Sequence, residues 1–242
     1  MLQYERQQKI LAFLETHQNA SVRELAAAVY ASEASVRRDI ASLESRGIVE
    51  RVYGGVLLAK YKNEVVPVEL RDSAHSGVKD RLAAEAAKRI RHGDTVMMDA
   101  STTVLRICRH MHGLRNVKVI TNNLRVCTEL ADSDIQVYCT GGAYYGQREC
   151  FLGPCAERFL RTVTADVLFF SSQGISDTGD ITDVDEAEIS LRRVMMEQAK
   201  KRIFLCDSSK IGVRRPFLLC TKDAVDEIVS DVPLSFGEEA KT

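Results

Sequence analysis

The sequence has no tryptophan and only four prolines among its 242 residues, and aromatic residues make up 6% of it. It also lacks an uncharged apolar stretch of the roughly 18 residues that a membrane-spanning helix requires, so we expect no contact with a membrane. The residues from Gln3 onward are polar, which predicts that no secretory signal precedes the fold. A net charge of −1 excludes a chain that coats nucleic acid through bulk charge, although a local patch remains compatible with it.

The cysteines and histidines follow no structural or metal-binding pattern. The seven cysteines are odd in number and none has the Cys-x-x-Cys spacing, which excludes a disulfide framework and a zinc ribbon. We expect buried thiols in a reducing cytoplasm. The five histidines are not spaced as metal ligands, so we predict neither a metal nor a cofactor. Hydrophobic residues at 45% and charged residues at 28% are typical of a globular protein of one large or two modest domains.

Residues 1–58 show helical periodicity followed by a predicted hairpin. Apolar residues recur at helical spacing in three segments, and Ser21 opens an S-x-x-E capping box at the start of the second. Ser32 is a suitable N-cap for a third helix over 33–46. Two β-prone runs around Gly54-Gly55 predict the hairpin. Three short helices followed by a hairpin form a winged helix-turn-helix.

The third predicted helix has an outer face suited to DNA. Its apolar residues Val36, Ile40 and Leu43 share one side, so the helical step of about 100° per residue turns Arg38 and several small residues outward. Arginine forms bidentate hydrogen bonds with guanine or phosphate, and small neighbours permit close approach. The face therefore predicts contact with a DNA duplex.

Candidate DNA contacts lie on this helix and at the hairpin tip, at Arg37, Arg38, Ser42, Arg51 and Tyr53. The simpler alternative is that the arginines are only solvated. Net charge hardly distinguishes DNA contact from simple solvation, because residues 1–60 hold eight basic and seven acidic residues, a net of +1. The predicted geometry carries the DNA-binding hypothesis.

The rest of the chain predicts an α/β domain. Residues 59–72 lose all periodicity and are expected to be a linker to a domain over 73–232, which a tail over 233–242 follows. Helical segments then alternate with short apolar strands, as in a parallel sheet buried on both faces. Such sheets bind ligands beyond the carboxyl ends of their strands.

The predicted strand ends carry polar loops that we call the rim. Hydroxyls that open a helix form an anion site with backbone N–H groups, Lys210 suits phosphate, and Asp99 can accept hydrogen bonds from sugar hydroxyls. The candidate effector-binding residues of these loops are Asp99, Ser101, Thr102, Thr103, Thr121, Asn122, Gly141, Gly142, Gln173, Gly174 and Lys210. Each has a simpler explanation, as a helix cap, a turn or a solvated lysine. Their convergence favours a site for a small, phosphorylated, polyhydroxylated ligand.

Several motifs together resemble the DeoR family of bacterial transcription regulators. In the first half they are Ser35-Val36-Arg37-Arg38-Asp39-Ile40, Leu43-Glu44 and Gly54-Gly55; in the second half they are Lys79, Asp99-Ala100-Ser101-Thr102, Thr121-Asn122, Gly141-Gly142, Gly153, Gly174, Glu186-Ala187-Glu188 and Asp207-Ser208-Ser209-Lys210. The resemblance covers about residues 4–232. It implies that helix 33–46 enters the major groove, with Ser35, Arg37 and Arg38 contacting DNA.

The resemblance also implies the fold and ligand of the second half. It would be the family's sensor domain, a Rossmann-like α/β fold related to ribose-5-phosphate isomerase, and Lys79 would join the effector-binding residues. Family members sense phosphorylated sugars or related metabolites. The chain departs from the family at Ala100, where glycine is usual, and at 171–174, where a loop of the Gly-x-Asp-Gly type is common.

We therefore expect a cytoplasmic transcriptional regulator, a repressor rather than an enzyme, acting on double-stranded operator DNA as a homo-oligomer (dimer or tetramer). The alternative is a sugar-phosphate isomerase-like enzyme. Isomerisation requires a general base, and 171–174 contains no carboxylate. The acidic run that includes Asp183 and Glu188 is interpreted as favourable charge at a helix start. An RNA-binding protein is a third alternative, which the scarcity of aromatic residues disfavours.

Overall fold

The computed structural model describes residues 2–17, 19–52, 55–58 and 68–236. The chain divides into two compact units, Met1–His75 and Ser76–Thr242. Most of the predicted linker lies outside the described residues, but its last part is helical, which the loss of periodicity did not predict. None of the helices in the described ranges is long and apolar enough to cross a membrane.

In its described residues, the first unit contains four helices and a small antiparallel sheet. Its elements are α1 (Gln3–His17), β1 (Asn19–Ala20), α2 (Val22–Ala28), α3 (Glu33–Ser45), β2 (Val49–Val52), β3 (Gly55–Leu58) and α4 (Val68–Ser73). The capping box at Ser21 and the N-cap at Ser32 are both formed. The hairpin strands β2 and β3 pair as predicted, and β3 also pairs with β1, which is too short to give a periodic signal.

The apolar stripes of the three helices form one core. Ile10, Leu14, Leu25, Ile40 and Leu43 are fully buried or nearly so, and they pack together with residues of the hairpin. Burial of a side chain of this size stabilises a fold by roughly 1.5–3 kcal/mol relative to its exposure. The inward stripe of α3 is therefore the one that periodicity predicted, and its opposite face remains outward.

The second unit is an α/β domain. Its helices and strands are α5 (Ser76–Ala87), β4 (Thr95–Met98), α6 (Thr102–Leu105), β5 (Lys118–Thr121), α7 (Leu124–Glu129), β6 (Gln136–Cys139), β7 (Ala143–Tyr145), β8 (Cys150–Leu152), α8 (Pro154–Leu160), β9 (Ala165–Phe170), β10 (Gly174–Ile175), β11 (Asp180–Asp183), α9 (Glu186–Glu197), β12 (Ala199–Cys206), β13 (Phe217–Thr221) and β14 (Glu227–Ser230). A 3-10 helix, Arg106–His110, directly follows the short α6.

Six of these strands form a parallel sheet in the order β14-β12-β9-β4-β5-β6. Side chains alternate between its faces, so Met97 and Leu168 pack with α8 and α9, while Val96 and Phe169 pack with α5 and α6. Both faces are apolar, as the uninterrupted hydrophobic strands predicted. The carboxyl ends of the parallel strands lie along one edge, where the rim loops follow them.

The second unit also contains two smaller antiparallel sheets, which the sequence patterns did not predict. β7 pairs with β8, and β10, β11 and β13 form a three-stranded sheet. These strands are short, and only some of their residues are apolar. Their pairing depends on partners distant in the sequence, such as Asp180 with Thr221, so local periodicity could not predict it.

Candidate functional site: a DNA-reading face and an anion-binding rim

The outward face of α3 carries the predicted DNA contacts. Arg37 and Arg38 are exposed, and Ser35 and Ser42 are partly exposed. Tyr53, the candidate at the hairpin tip, lies outside the described residues. Arg51 is described, and its guanidinium is half exposed.

These arginines differ in how firmly they are held. Arg37 is 3.0 Å from the Glu33 carboxylate, and Arg51 is 3.1 Å from that of Glu44. Exposed pairs of this kind are worth only about 0–1 kcal/mol, so a phosphate can replace either partner. Within the described ranges, Arg38 is within ion-pair distance of no carboxylate and only approaches the Ser35 hydroxyl, at 3.5 Å. Arg38 can therefore contact DNA without breaking an ion pair with a described carboxylate.

Asp39, which follows Arg38 in the motif, has a different role. Its carboxylate is buried and accepts two hydrogen bonds from the Arg6 guanidinium, one of them 3.1 Å long. These bonds join α1 to α3. The hydrogen bonds to Asp39 also raise the pKa of Arg6, which keeps the pair charged. This pair fixes the position of α3 against α1 from the buried side of α3.

Two buried lysines define the rim. Lys79 of α5 is 0% exposed, and its Nζ donates to Thr102 Oγ1 at 3.0 Å. Burial and, to a smaller extent, the nearby positive charge of Lys210 lower the pKa of Lys79 to about 6. Lys210 is 6% exposed and donates to Ser171 Oγ at 2.7 Å. At neutral pH Lys79 is therefore largely uncharged beside Lys210, and an anion bound next to both lysines would favour its protonation.

Buried oxygens without partners lie on the same loops. In the described part of the chain, Thr103 Oγ1, Asn122 Oδ1 and Asp207 Oδ2 are buried and make no hydrogen bond. Asp207 Oδ2 is 3.8 Å from Lys210 Nζ, which is an ion pair without a hydrogen bond. Such groups carry a desolvation cost of about 1–3 kcal/mol each until a partner arrives. They are available to the hydroxyl groups of a ligand.

Asp99 is tied to a residue that the sequence did not single out, Arg192 of α9. Arg192 is buried and contacts three carboxylates, those of Asp99 (3.1 Å), Asp183 (3.0 Å) and Glu188 (2.9 Å). Burial alone would lower the pKa of Arg192, but these three charges outweigh it and raise the pKa. Asp183 and Glu188 therefore hold Arg192, and Glu188 also lies in the first turn of α9, as the helix-start interpretation predicted. The i, i+4 spacing of Glu188 and Arg192 was the available signal.

The Asp99 carboxylate is also held by the backbone. Its oxygens accept hydrogen bonds from the N–H groups of Ser101 (3.0 Å) and Ser171 (3.2 Å). Ser171 in turn accepts from Lys210, so a continuous chain of contacts leads from Arg192 to the lysines. Because every Asp99 oxygen is engaged, this carboxylate orients the rim and is poorly placed to act as a general base.

A narrow crevice opens between the strand ends and α9. Its volume is about 10 Å³, and it is lined by Asp99, Ala100, Asn122, Glu188, Leu191, Arg192 and Met195. This volume is far below the ~300 Å³ at which small-molecule pockets usually begin and is close to that of a single water, so the crevice does not hold a whole ligand. The helix α9 contributes more of this wall than the sequence motifs indicated.

The remaining predicted rim residues have roles within the protein. Thr121 donates to the Met98 carbonyl at 2.8 Å and accepts from the N–H of Asn123, so it braces its loop. A side chain at Gly142 would approach the Leu152 carbonyl to 2.7 Å, and one at Gly174 would collide with the Val213 carbonyl. Both glycines are therefore explained by packing. Gln173 is partly exposed beside these residues, and Gly141 has open space around it.

Comparison with known proteins gives two family matches that together span most of the chain. Residues 6–62 match the model of the DeoR-like helix-turn-helix domain, and residues 74–232 match that of the DeoR C terminal sensor domain. Similar curated proteins include the HTH-type transcriptional regulator GolR of Listeria innocua, 29% identical, with 96% of this chain and 91% of that protein covered. The HTH-type transcriptional repressor GlcR of Bacillus subtilis is 29% identical, with 96% and 89% covered.

Solved structures resemble part of the chain. The delta subunit of eIF2B from Chaetomium thermophilum superposes with a TM-score of 0.50 at 14% identity, over 68% of this chain and 59% of that one. Ribose 5-phosphate isomerase A from Methanocaldococcus jannaschii gives a TM-score of 0.43 at 14% identity, over 57% of this chain and 55% of that one. The first likeness indicates a shared α/β fold and nothing about chemistry.

Proposed function

The chain belongs to the DeoR family of transcriptional regulators, and from this premise we propose that it is a repressor whose affinity for operator DNA is controlled by a small phosphorylated metabolite bound at the rim. The relatives named above are regulators, and the two parts of the chain match a helix-turn-helix domain and a sensor domain. Because GlcR is a repressor, it supports repression over activation. Operator DNA as the partner implies the cytoplasm as the place of action.

The DNA-reading role is supported by the outward face of α3. Arg38, Arg37, Ser35 and Ser42 are accessible there, while Val36, Ile40 and Leu43 hold the helix from behind. We assign Arg38 to a base edge or phosphate, because binding DNA breaks no ion pair of its guanidinium. Arg51 and Tyr53 extend the proposed contact to the hairpin.

The observation that carries the effector role is the pair of buried lysines. Lys79 and Lys210 lie close enough for their charges to interact, and unpaired buried oxygens of Thr103 and Asn122 lie on the neighbouring loops. A phosphate would accept hydrogen bonds from both lysines and favour the protonated form of Lys79, and sugar hydroxyls would satisfy the oxygens. This arrangement favours a phosphorylated, polyhydroxylated ligand over an apolar one.

The proposed coupling requires more than one copy of the chain. An operator with two half-sites is read by two winged helices, so we infer a homodimer or tetramer. Effector binding would change how the copies associate and so the spacing of their reading helices. Couplings of this kind are typically about 1–3 kcal/mol, or roughly 5- to 150-fold in affinity.

A double-dissociation experiment tests both halves of the proposal. DNA ligands are first selected from random duplexes with the wild-type protein, and effectors from a thermal-shift screen of sugar phosphates and their unphosphorylated sugars. Arg38→Ala should weaken binding to the selected DNA about tenfold or more, the size of one good base contact, and leave the thermal shift unchanged. Lys210→Ala should bind DNA normally, but the effector should no longer raise its melting temperature or release it from DNA.

The matched controls are lysines away from each site. Lys9→Ala alters an exposed cation of α1, and Lys200→Ala alters an exposed lysine at the opposite edge of the sheet from the rim, 2.8 Å from Asp166. Both should behave as wild type. Normal DNA binding by Arg38→Ala would remove the reading-helix assignment, and an intact effector response in Lys210→Ala would remove the phosphate assignment. Turnover of a pentose phosphate by the wild-type protein would favour the isomerase-like alternative.

A further inference from the structure

The main sheet of the second unit has an open edge at β6. Among the described strands, β6 pairs only with β5, and it comes last in the strand order. The N–H of Thr140, directly after β6, donates to the Thr121 carbonyl of β5 at 2.9 Å. Because the backbone groups of successive strand residues alternate in direction, the N–H and C=O groups of Val137 and Cys139 point away from β5. A further strand could therefore pair with them.

The chain along this edge carries no charge. Residues 135–147, which include β6 and β7, form the longest uncharged run of a sequence in which 28% of the residues are charged. The strand at the opposite edge, β14, contains Glu227 and is flanked by Asp226 and Asp231. Charged side chains on an edge strand are a usual protection against pairing with another chain. β14 has this protection, whereas β6 lacks it.

Large apolar side chains are exposed on and beside the same edge. Tyr138 of β6, Tyr144 and Tyr145 of β7, and Leu124 of α7 are 38–50% exposed. Leu124 adjoins the β7–β8 hairpin, because its N–H donates to the Glu149 carbonyl at 2.9 Å. Tyrosine is enriched at protein interfaces, where its ring is covered and its hydroxyl finds a partner. We call β6, the β7–β8 hairpin and Leu124 the β6 surface.

The size of the β6 surface fits a second copy of the chain. A fully buried aromatic residue removes about 150–250 Å² from water, so the three tyrosines, each near half exposed, offer about 200–300 Å². Two copies related by a two-fold axis bury this area twice, which is close to half of the ~1,200 Å² at which specific interfaces begin. Leu124 and the exposed residues Gln136, Cys139, Ala143 and Gln147 extend it towards that size.

We propose that the β6 surface is the interface between two copies of this chain, in which the β6 strands pair antiparallel and the tyrosines of each copy pack against the other. An edge strand is complementary to itself, because two antiparallel copies of it are related by a two-fold axis. The absence of charge over 135–147 disfavours a nucleic acid or a charged peptide as the partner, since such a partner is recognised through opposite charge. Pairing also satisfies the outward backbone groups of Val137 and Cys139.

Contacts within the second unit connect this interface to the rim, and the consequence for sensing rests on the proposed function. The rim loop 140–142 joins β6 directly to β7. Arg148, between β7 and β8, is 2.5 Å from the Asp185 carboxylate and 3.5 Å from that of Glu188, which also holds Arg192. A ligand that moves the loop or these carboxylates therefore moves the hairpin. By this route an effector at the rim would change the strength of association between copies.

Sedimentation velocity tests the interface on the full-length protein, without DNA or effector. The wild type should form a dimer or a larger assembly. Tyr138→Lys places a positive charge on the edge of both copies, so it should weaken association about tenfold or more. Leu218→Lys is the matched control, because Leu218 is an exposed apolar residue of β13, outside the β6 surface, and is 44% exposed. It should associate as the wild type does.

Hydrogen exchange locates the interface without any substitution. As the concentration of the wild type rises, the amides of Val137 and Cys139 should exchange more slowly, whereas those of β14 should be unaffected. A wild type that is monomeric at every concentration, an assembly in which 135–147 gains no protection, or association of Tyr138→Lys as strong as that of Leu218→Lys would overturn the proposal. The Arg38→Ala and Lys210→Ala experiments measure DNA and effector binding instead, so failure of this interface is distinguishable from failure of those roles.

Discussion

Tyr30 occupies a backbone conformation that suits it poorly. It sits in the turn between α2 and α3 with φ of 51°, in the left-handed region, and its side chain is 94% exposed. A side chain with a Cβ costs roughly 1–2 kcal/mol in this region, whereas glycine adopts it freely. The exposed ring recovers almost nothing through burial. The residue therefore destabilises the turn that leads into the reading helix.

Tyr30→Gly should accordingly stabilise the first unit by about 1 kcal/mol, since the conformational penalty disappears. Urea denaturation followed by circular dichroism measures the change. Tyr30→Ala is the matched control, because it removes the ring but keeps the Cβ, and it should give no comparable gain. A similar gain in both variants would mean that the ring, and not the backbone, is unfavourable.

Among the elements, the β7–β8 hairpin illustrates how close packing determines a loop. Gly141 and Gly142 precede it, with φ of 62° and 109°. A Cβ at Gly141 would meet nothing within 4 Å, but one at Gly142 would lie 2.7 Å from the Leu152 carbonyl and 3.2 Å from the Ala156 Cβ. The hairpin and α8 therefore approach each other closely at Gly142. Backbone conformation alone explains the glycine at 141, whereas close packing also explains the glycine at 142.

The two alanine substitutions should separate these causes. Gly141→Ala should cost about 1–2 kcal/mol of stability, the left-handed penalty alone. Gly142→Ala adds a collision with backbone, so its loss should be clearly larger. Equilibrium denaturation of both variants, with effector affinity measured alongside, provides the comparison. Equal losses would contradict the packing explanation for Gly142.

At the scale of the whole molecule, the stability of the second unit depends on an uncharged lysine. An unfolded lysine has a pKa of about 10.4, whereas burial lowers that of Lys79 to about 6. Between these values the unfolded chain binds the additional proton. Stability therefore rises with pH from about 6 towards 10, and it is reduced as the pH falls to 6.

From pH 7 to pH 9, Lys79 should add about 2–3 kcal/mol to the free energy of unfolding, close to the ~1.4 kcal/mol per pH unit of a fully coupled proton. Lys79→Met keeps the aliphatic chain and removes the titration, so this increment should be absent from its pH profile. Denaturant titrations of both proteins at the two pH values test it. The same pH dependence in Lys79→Met would assign the effect to other groups.

Local patterns were sufficient for much of this molecule. The stripe Val36, Ile40 and Leu43 predicted the buried face of α3, and the capping residues Ser21 and Ser32 predicted where two helices begin. The uninterrupted apolar strands likewise predicted the parallel sheet and the edge where its polar loops gather. These features depend on residues a few positions apart, and their physical causes act at that range.

The partners of the charged and reactive groups were decided only by the tertiary structure. The contacts of Arg192 with Asp99, of Lys79 with Thr102, and of Lys210 with Ser171 join residues from different elements. Periodicity cannot indicate them, because burial, pKa and hydrogen bonding depend on which loops the sheet order brings together. The sequence determined which residues could bind an anion. The fold determined which of them are buried, paired or exposed.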